Sequence, residues 1–219
     1  MDIVYEDEYI IVVEKPENTP VQSDKSKDVD MVSMLRYYLK KTSTEKDEYY
    51  IGLVHRLDRP VSGLMVFAKT KETNALLSEQ IRLGMMKKIY IAKVCGQVPQ
   101  NGKLEDWLLK DPISNMSFVV NKGTNGAKFA KLEYSLIETK IENEQTISKI
   151  MINLISGRHH QIRVQFANNN TPIVGDTKYN KSISGIKGFV KLALHSNELG
   201  FVHPITKKHV TFKSTKCTL

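Results

Sequence analysis

The stretch His55-Arg56-Leu57-Asp58-Arg59-Pro60-Val61-Ser62-Gly63-Leu64-Met65-Val66-Phe67-Ala68-Lys69 follows a short apolar run at 51–54 and ends in a longer one at 64–68. Runs of apolar and branched residues around a polar segment with Pro and Gly read as strand, loop, strand. One carboxylate, Asp58, stands at the loop tip among His55, Arg56 and Arg59. Thr70 follows as a helix N-cap, and Leu77 and Ile81 share one face of a helix that ends near Gly84.

The same signals extend outward. Toward the N-terminus, 3–5 and 9–14 read as two strands around the acidic turn Glu6-Asp7-Glu8, closed by Lys15-Pro16. Asp30 can cap a helix whose Met31, Met34, Leu35, Tyr38 and Leu39 fall at i, i+3, i+4, i+7 and i+8. Residues 40–48 read as a charged linker. Toward the C-terminus, 88–94 alternate, with Tyr90, Ala92 and Val94 on one face and Ile89 and Ile91 on the other. Alternation recurs at 130–136 and 150–154. Gly157 closes the latter, and a helix with Ile162 and Phe166 at i, i+4 follows. Residues 199–203 and 209–212 read as a closing hairpin. Strands outnumber helices and do not strictly alternate with them. That predicts an α+β fold with a large mixed, mainly antiparallel sheet and flanking helices, in one domain over 1–219.

Composition narrows the function class. The 219 residues suffice to bury roughly 70% of the unfolded surface. Lys and Arg number 32 against 24 Asp and Glu, a net +8, which favours a polyanionic partner such as nucleic acid. Cys95 and Cys217 show no paired spacing, so neither a zinc site nor a disulfide framework is indicated. No apolar run approaches the ~18 residues of a membrane span, and the acidic N-terminus lacks a signal peptide's basic region. A cytoplasmic monomer is the expectation. No Gly-rich phosphate loop follows a strand, so no nucleotide cofactor is expected.

Two constellations carry chemistry. Asp58 beside Arg56 and Arg59 suits an ionised nucleophile, and equally suits a turn-capping aspartate with solvated neighbours. The second is Ser156-Gly157-Arg158-His159-His160-Gln161-Ile162-Arg163. It gathers cations at a helix N-terminus, against the dipole, which calls for a charge partner. His159 and His160, adjacent in the chain, are expected to point different ways, and no carboxylate stands at metal-ligand spacing.

HRLDRPVSGLMVFAK, the segment KIYIAKVCG at 88–96 and SGRHHQIR at 156–163 resemble the RluA-type pseudouridine synthases. Val12-Val13-Glu14-Lys15-Pro16, PIVGDTKY at 172–179, Leu192-Ala193-Leu194-His195 and Phe201-Val202-His203-Pro204 extend the resemblance across nearly the whole chain, in family order. Departures are Val61 where Thr is usual, the loop 17–23, Gln165 where His is common and Asn180 where Gly often follows the Tyr. The S4-like RNA-binding domain of many relatives is not expected before a chain that opens in the catalytic region.

The resemblance implies an isomerase that converts uridine in ribosomal or transfer RNA to pseudouridine, with neither cofactor nor metal. Asp58 would be the nucleophile, whether at C1′, at C6 or in elimination at the ribose. Arg163 would pair with it, and Tyr90 would stack on the uracil and serve as acid or base at C5. Leu192 or Leu194 would wall the base pocket, with His55 and His195 lining the cleft. Arg56 would fill the gap left by the flipped base or hold its phosphate. Arg59, Lys87, Lys88 and Arg158 would grip RNA at the rim, with His160 and Gln161 near them on the helix start. Two alternatives are a carboxylate glycosidase, which usually needs a second carboxylate across the bond, and a non-catalytic RNA-binding or ribosome-assembly protein of the same fold.

Overall fold

The computed structural model describes residues 1–24, 26–42, 49–142, 144–183 and 190–219. The chain divides into two compact units, one of residues 1–87 and 196–217, the other of 88–195 and 218–219.

In the first unit, β1 (Asp2–Glu6) and β2 (Ile10–Lys15) form an antiparallel hairpin. Strand β2 continues antiparallel onto β4 (Ser62–Ala68), which also pairs with the short β3 (Gly52–Leu53). The latter is two residues where the sequence predicts four. Strands β10 (Leu194–Val202) and β11 (His209–Lys213) form the C-terminal hairpin in antiparallel register. Every residue of β2 is buried, and Ile10, Val12, Leu64, Val66, Leu77, Leu199 and Phe201 meet in one apolar cluster.

The helices of this unit start where their caps place them. The Asp30 carboxylate accepts from Ser33 N at 3.1 Å ahead of α1 (Met31–Thr42). Thr70 Oγ1 accepts from Thr73 N at 3.1 Å ahead of α2 (Lys71–Arg82). Gly84, at φ +69°, ends α2 as expected. The expected linker therefore begins as helix through Thr42, and residues 43–48 lie outside those described.

The second unit is a sheet whose strands run in the order β5 (Lys87–Cys95), β9 (Gln145–Leu154), β8 (Lys128–Glu142), β6 (Asn101–Asp111), β7 (Met116–Val120), with the hairpins β8–β9 and β6–β7 side by side. All four neighbouring pairs are antiparallel. The α+β class and mainly antiparallel pairing are those expected. Helix α3 (Gln161–Asn168) packs on one face through Val164, against Leu108 and Ala130, and through Phe166, 5.4 Å from the Tyr134 ring. Strands β6 and β7 were not expected. Much of β6 is exposed or half-buried, and its polar residues fall at both parities, so alternation is weak.

The division also separates charge. The second unit carries 15 Lys and Arg against 8 Asp and Glu, so +7 of the net +8 lies there; the first carries 17 against 16.

Candidate active site

The HRLD loop is held from inside the first unit. Gly63, at φ +113°, opens β4 so close to β10 that an added Cβ would stand 2.3 Å from the Ser196 carbonyl oxygen. Asp58 closes a tight turn, its carbonyl accepting from Val61 N at 2.9 Å. Upstream, the His55 ring accepts from Val66 N through Nε2 at 3.2 Å, which puts the ring proton on Nδ1.

Beneath the turn lies Lys15, 1% exposed. Its Nζ donates to the carbonyls of Pro16 and Thr19 at 2.8 Å each and of Arg59 at 2.9 Å. Three acceptors match the three protons of an ammonium. Burial pulls Lys15 down to about 7, while the Asp58 carboxylate works in the opposite direction. The cation thus lies within electrostatic reach of Asp58 and pins the backbone of the next residue. Sequence reasoning passed over Lys15; its only signal was the Lys-Pro pair that closes β2.

The two arginines of the loop differ. Arg56 is exposed and, among the described residues, has no hydrogen-bond or ion-pair partner. Arg59 is engaged within its own unit: Nε donates to Asn18 Oδ1 at 3.1 Å, Nη1 to Ser26 Oγ at 3.0 Å and Nη2 to the Asp28 carboxylate. That placement ties Asn18, Ser26 and Asp28 to the HRLD turn.

In the second unit the charge partner demanded by the helix N-terminus is Asp176. Arg163 Nε and Nη2 bond its two carboxylate oxygens at 2.8 Å each, in a buried bidentate pair. Oδ1 of Asp176 also accepts from Lys178 N and Tyr179 N at 3.0 and 3.2 Å. Gly175 permits this loop: at φ +78°, an added Cβ would stand 1.9 Å from the Lys191 carbonyl oxygen. The Tyr179 ring lies under the same guanidinium, 5.3 Å from centroid to Arg163 Cζ. Neither Asp176 nor Tyr179 was assigned a role from sequence, although both lie in the GDTKY segment.

His159 and His160 do not diverge as expected. Their rings stack at 3.8 Å and 25°. The N-cap residue His160 takes φ +52°, a left-handed turn that brings its ring back over its neighbour. Ser117 N donates to Tyr179 Oη at 2.7 Å, so the Tyr179 hydroxyl is left to donate to His160 Nδ1, 2.8 Å away. His160 then carries its proton on Nε2. Burial, with Arg163 beside it, pushes His160 down to about 2, so it stays neutral.

Gln161 is 3% exposed, and its amide braces the loop. Oε1 accepts from Ser156 Oγ at 2.8 Å and Arg158 N at 3.0 Å, while Nε2 donates to the Lys131 carbonyl at 3.1 Å. It shapes the loop that carries Arg158. Leu192, Leu194 and His195 are buried, and burial lowers His195 to about 4. Tyr90 is buried on β5, on the same strand face as Lys88. The departures from the family pattern are absorbed locally: Val61 is core, Gln165 Nε2 donates to Asp106 Oδ2 at 2.6 Å, and Asn180 Oδ1 accepts from Ser182 N at 3.1 Å. Among the described residues no group of His, Cys, Asp and Glu is placed to hold a metal ion, and no helix is long and apolar enough to cross a membrane.

The sequence profile described as RNA pseudouridylate synthase matches residues 9–168. The chain is 32% identical over 226 residues to ribosomal large subunit pseudouridine synthase D of Buchnera aphidicola, covering 98% of this chain and 68% of that one. Against the protein of the same name from Neisseria meningitidis serogroup A the identity is 34% over 223 residues, covering 98% and 58%. The chain thus spans between about half and two thirds of these relatives' lengths. The solved structure of human RNA pseudouridylate synthase domain containing 1 shares the fold, with a TM-score of 0.80 at 20% identity over 100% of this chain and 84% of that one. With the profile spanning both the HRLD loop and the start of α3, the chain belongs to the RNA pseudouridylate synthase family.

Proposed function

We propose that this chain isomerises uridine in RNA to pseudouridine, with Asp58 as nucleophile, Arg163 as the cation that orients it, and Tyr90 as the residue that stacks on the base. The observation that carries the reading is the family match over 9–168, which contains all three residues. In the reaction the C1′–N1 bond breaks, the uracil turns, and a C1′–C5 bond forms. The C5 proton leaves and N1 takes one up, so the product is an isomer of the substrate. Tyr90 is placed by type to move the C5 proton. Buried Lys15 and the turn it pins support a carboxylate held still at residue 58. Arg56, exposed and without a partner among the described residues, suits the space left by a flipped base. His55, His195 and Leu192 or Leu194 complete the proposed set of nucleotide contacts, and residues 1–219 act as one catalytic domain.

Ribosomal RNA is the substrate class that the relatives' names support, with transfer RNA the other outcome of a mapping experiment. A monomer in the cytoplasm completes the reading. A glycosidase is disfavoured by the second unit's buried carboxylate: Asp176 is committed to Arg163 and to two backbone amides. The test maps pseudouridines across total RNA from cells with and without the gene, complemented by wild type or Asp58→Asn. Wild type is expected to restore specific sites and Asp58→Asn none. Restoration by the Asn variant would remove Asp58 from the mechanism, and release of free uracil would favour the glycosidase.

A further inference from the structure

The other described lysines of the second unit fall into three groups. Lys93, Lys103, Lys131 and Lys140 meet glutamates within 4 Å, Lys149, Lys178 and Lys191 donate to oxygens of Leu219, Asn115 and Thr218, and Lys110, Lys122, Lys128 and Lys181 are exposed. Lys88 fits none of them. It is half-buried on β5 and has no hydrogen-bond or ion-pair partner among the described residues. Burial lowers the Lys88 pKa, and the charge that adds to the lowering is another cation, Arg158.

Arg158 stands on the loop between β9 and α3. Its Nε donates to the Phe129 carbonyl at 2.9 Å, which aims the guanidinium, and it too has no carboxylate partner among the described residues. Gly157 lies between the two: a Cβ built there would stand 3.5 Å from Lys88 Nζ. The loop is rigid, because Ser156 N and Gln161 Nε2 both donate to the Lys131 carbonyl, at 3.1 Å each. Two cations held together on a braced backbone, one of them partly desolvated, repel each other unless an anion lies between them.

We propose that Lys88 and Arg158, flanking Gly157, form a subsite for one phosphate of the RNA backbone. The proposal rests on the reading of the chain as an RNA-modifying enzyme and names one contact of that substrate. Lys88 shares a strand face with Tyr90 two residues on, so the subsite lies about 7 Å along β5 from the proposed stacking position. A phosphate close to the target nucleotide falls in that range. The contact positions RNA and reads no base.

The test uses the full chain and two probes. Isotope-labelled protein is titrated with inorganic phosphate, reading the Gly157 and Arg158 amides and the Lys88 side chain by NMR. Fluorescent penta-uridylate is titrated in parallel, with ordinary or with neutral methylphosphonate linkages. Saturable shifts confined to 88 and 157–158 are expected. Lys88→Gln and Arg158→Gln should each weaken phosphate and penta-uridylate binding at least fivefold, Lys88→Arg should retain both, and Lys110→Gln should change neither. The neutral oligonucleotide should bind wild type and the Gln variants alike. Shifts spread over all lysines, or Gln variants that bind as Lys110→Gln does, would overturn the subsite. Phosphate binding that penta-uridylate does not compete for would overturn its assignment to RNA. Pseudouridine mapping is independent: a chain that forms pseudouridine while the Gln variants bind normally loses the subsite and keeps the enzyme reading.

Discussion

Asp176 holds Arg163 by two donors of a planar fork, inside the protein and away from solvent. Replacing Asp176 by Asn keeps the acceptor for the Lys178 and Tyr179 amides but leaves the guanidinium's charge unanswered by this partner. Breaking a buried pair on one side costs ~3–5 kcal/mol. Asp176→Asn is therefore expected to lower unfolding free energy by about 3 kcal/mol in urea titrations, and to cut turnover at saturating RNA at least tenfold at a temperature where the variant stays folded. Turnover equal to wild type would show that Asp176 has no part in orienting Arg163. Arg163→Lys keeps the charge and loses the fork. It should match the turnover loss with a smaller stability loss.

The loop between β9 and α3 is the element on which the second constellation depends, and its shape rests on one amide. Gln161→Met preserves length and removes three hydrogen bonds, leaving Arg158 N without this acceptor and Ser156 Oγ with only its longer 3.3 Å bond to the Lys131 carbonyl. Unsatisfied buried groups cost about 1–3 kcal/mol each. The variant is expected to be destabilised by about 2 kcal/mol in thermal or urea unfolding, with weaker penta-uridylate binding as Arg158 loses its support. A variant of wild-type stability would mean that water satisfies these groups equally well. Local signals made the helices readable: the side chains of Asp30 and Thr70 cap α1 and α2, and Gly84 stops α2. They failed at β6, because strand alternation marks only one buried face and β6 is covered mainly where α3 crosses Leu108.

For the whole molecule, acid stability follows from two buried imidazoles. Burial, with the Lys191 charge beside it, holds His195 at about 4, and His160 lies near 2, both below the 6.5 of an unfolded histidine. Between pH 6.5 and 4 the unfolded chain binds more protons than the folded one, so stability falls as pH drops through that window. Glu14, raised by burial, opposes the trend, while the lowered carboxylates Asp7 and Asp30 act only below it. His195→Gln should recover about 2 kcal/mol of the loss at pH 4. Urea unfolding of wild type and variant from pH 7 to 4 checks this, and parallel profiles for the two would show that His195 binds its proton alike in the folded and unfolded chain.

Much of this protein was written locally. Strands around a Pro- and Gly-bearing loop, capped helices and the order of the HRLD, KIYIAKV and HHQIR segments placed it in an α+β fold of one family, because turns, caps and alternation depend on neighbours in the chain. The net charge pointed to a polyanion, but only the tertiary division showed that nearly all of it belongs to the second unit. The partner of Arg163 within that unit, the burial of Lys15 beneath the Asp58 turn, the loop bracing by Arg59 and Gln161 and the placement of Lys88 beside Arg158 were likewise decided by the fold. A charged side chain finds its partner among residues that chain closure brings near. Sequence separation carries no record of which carboxylate arrives or which cation is left facing another.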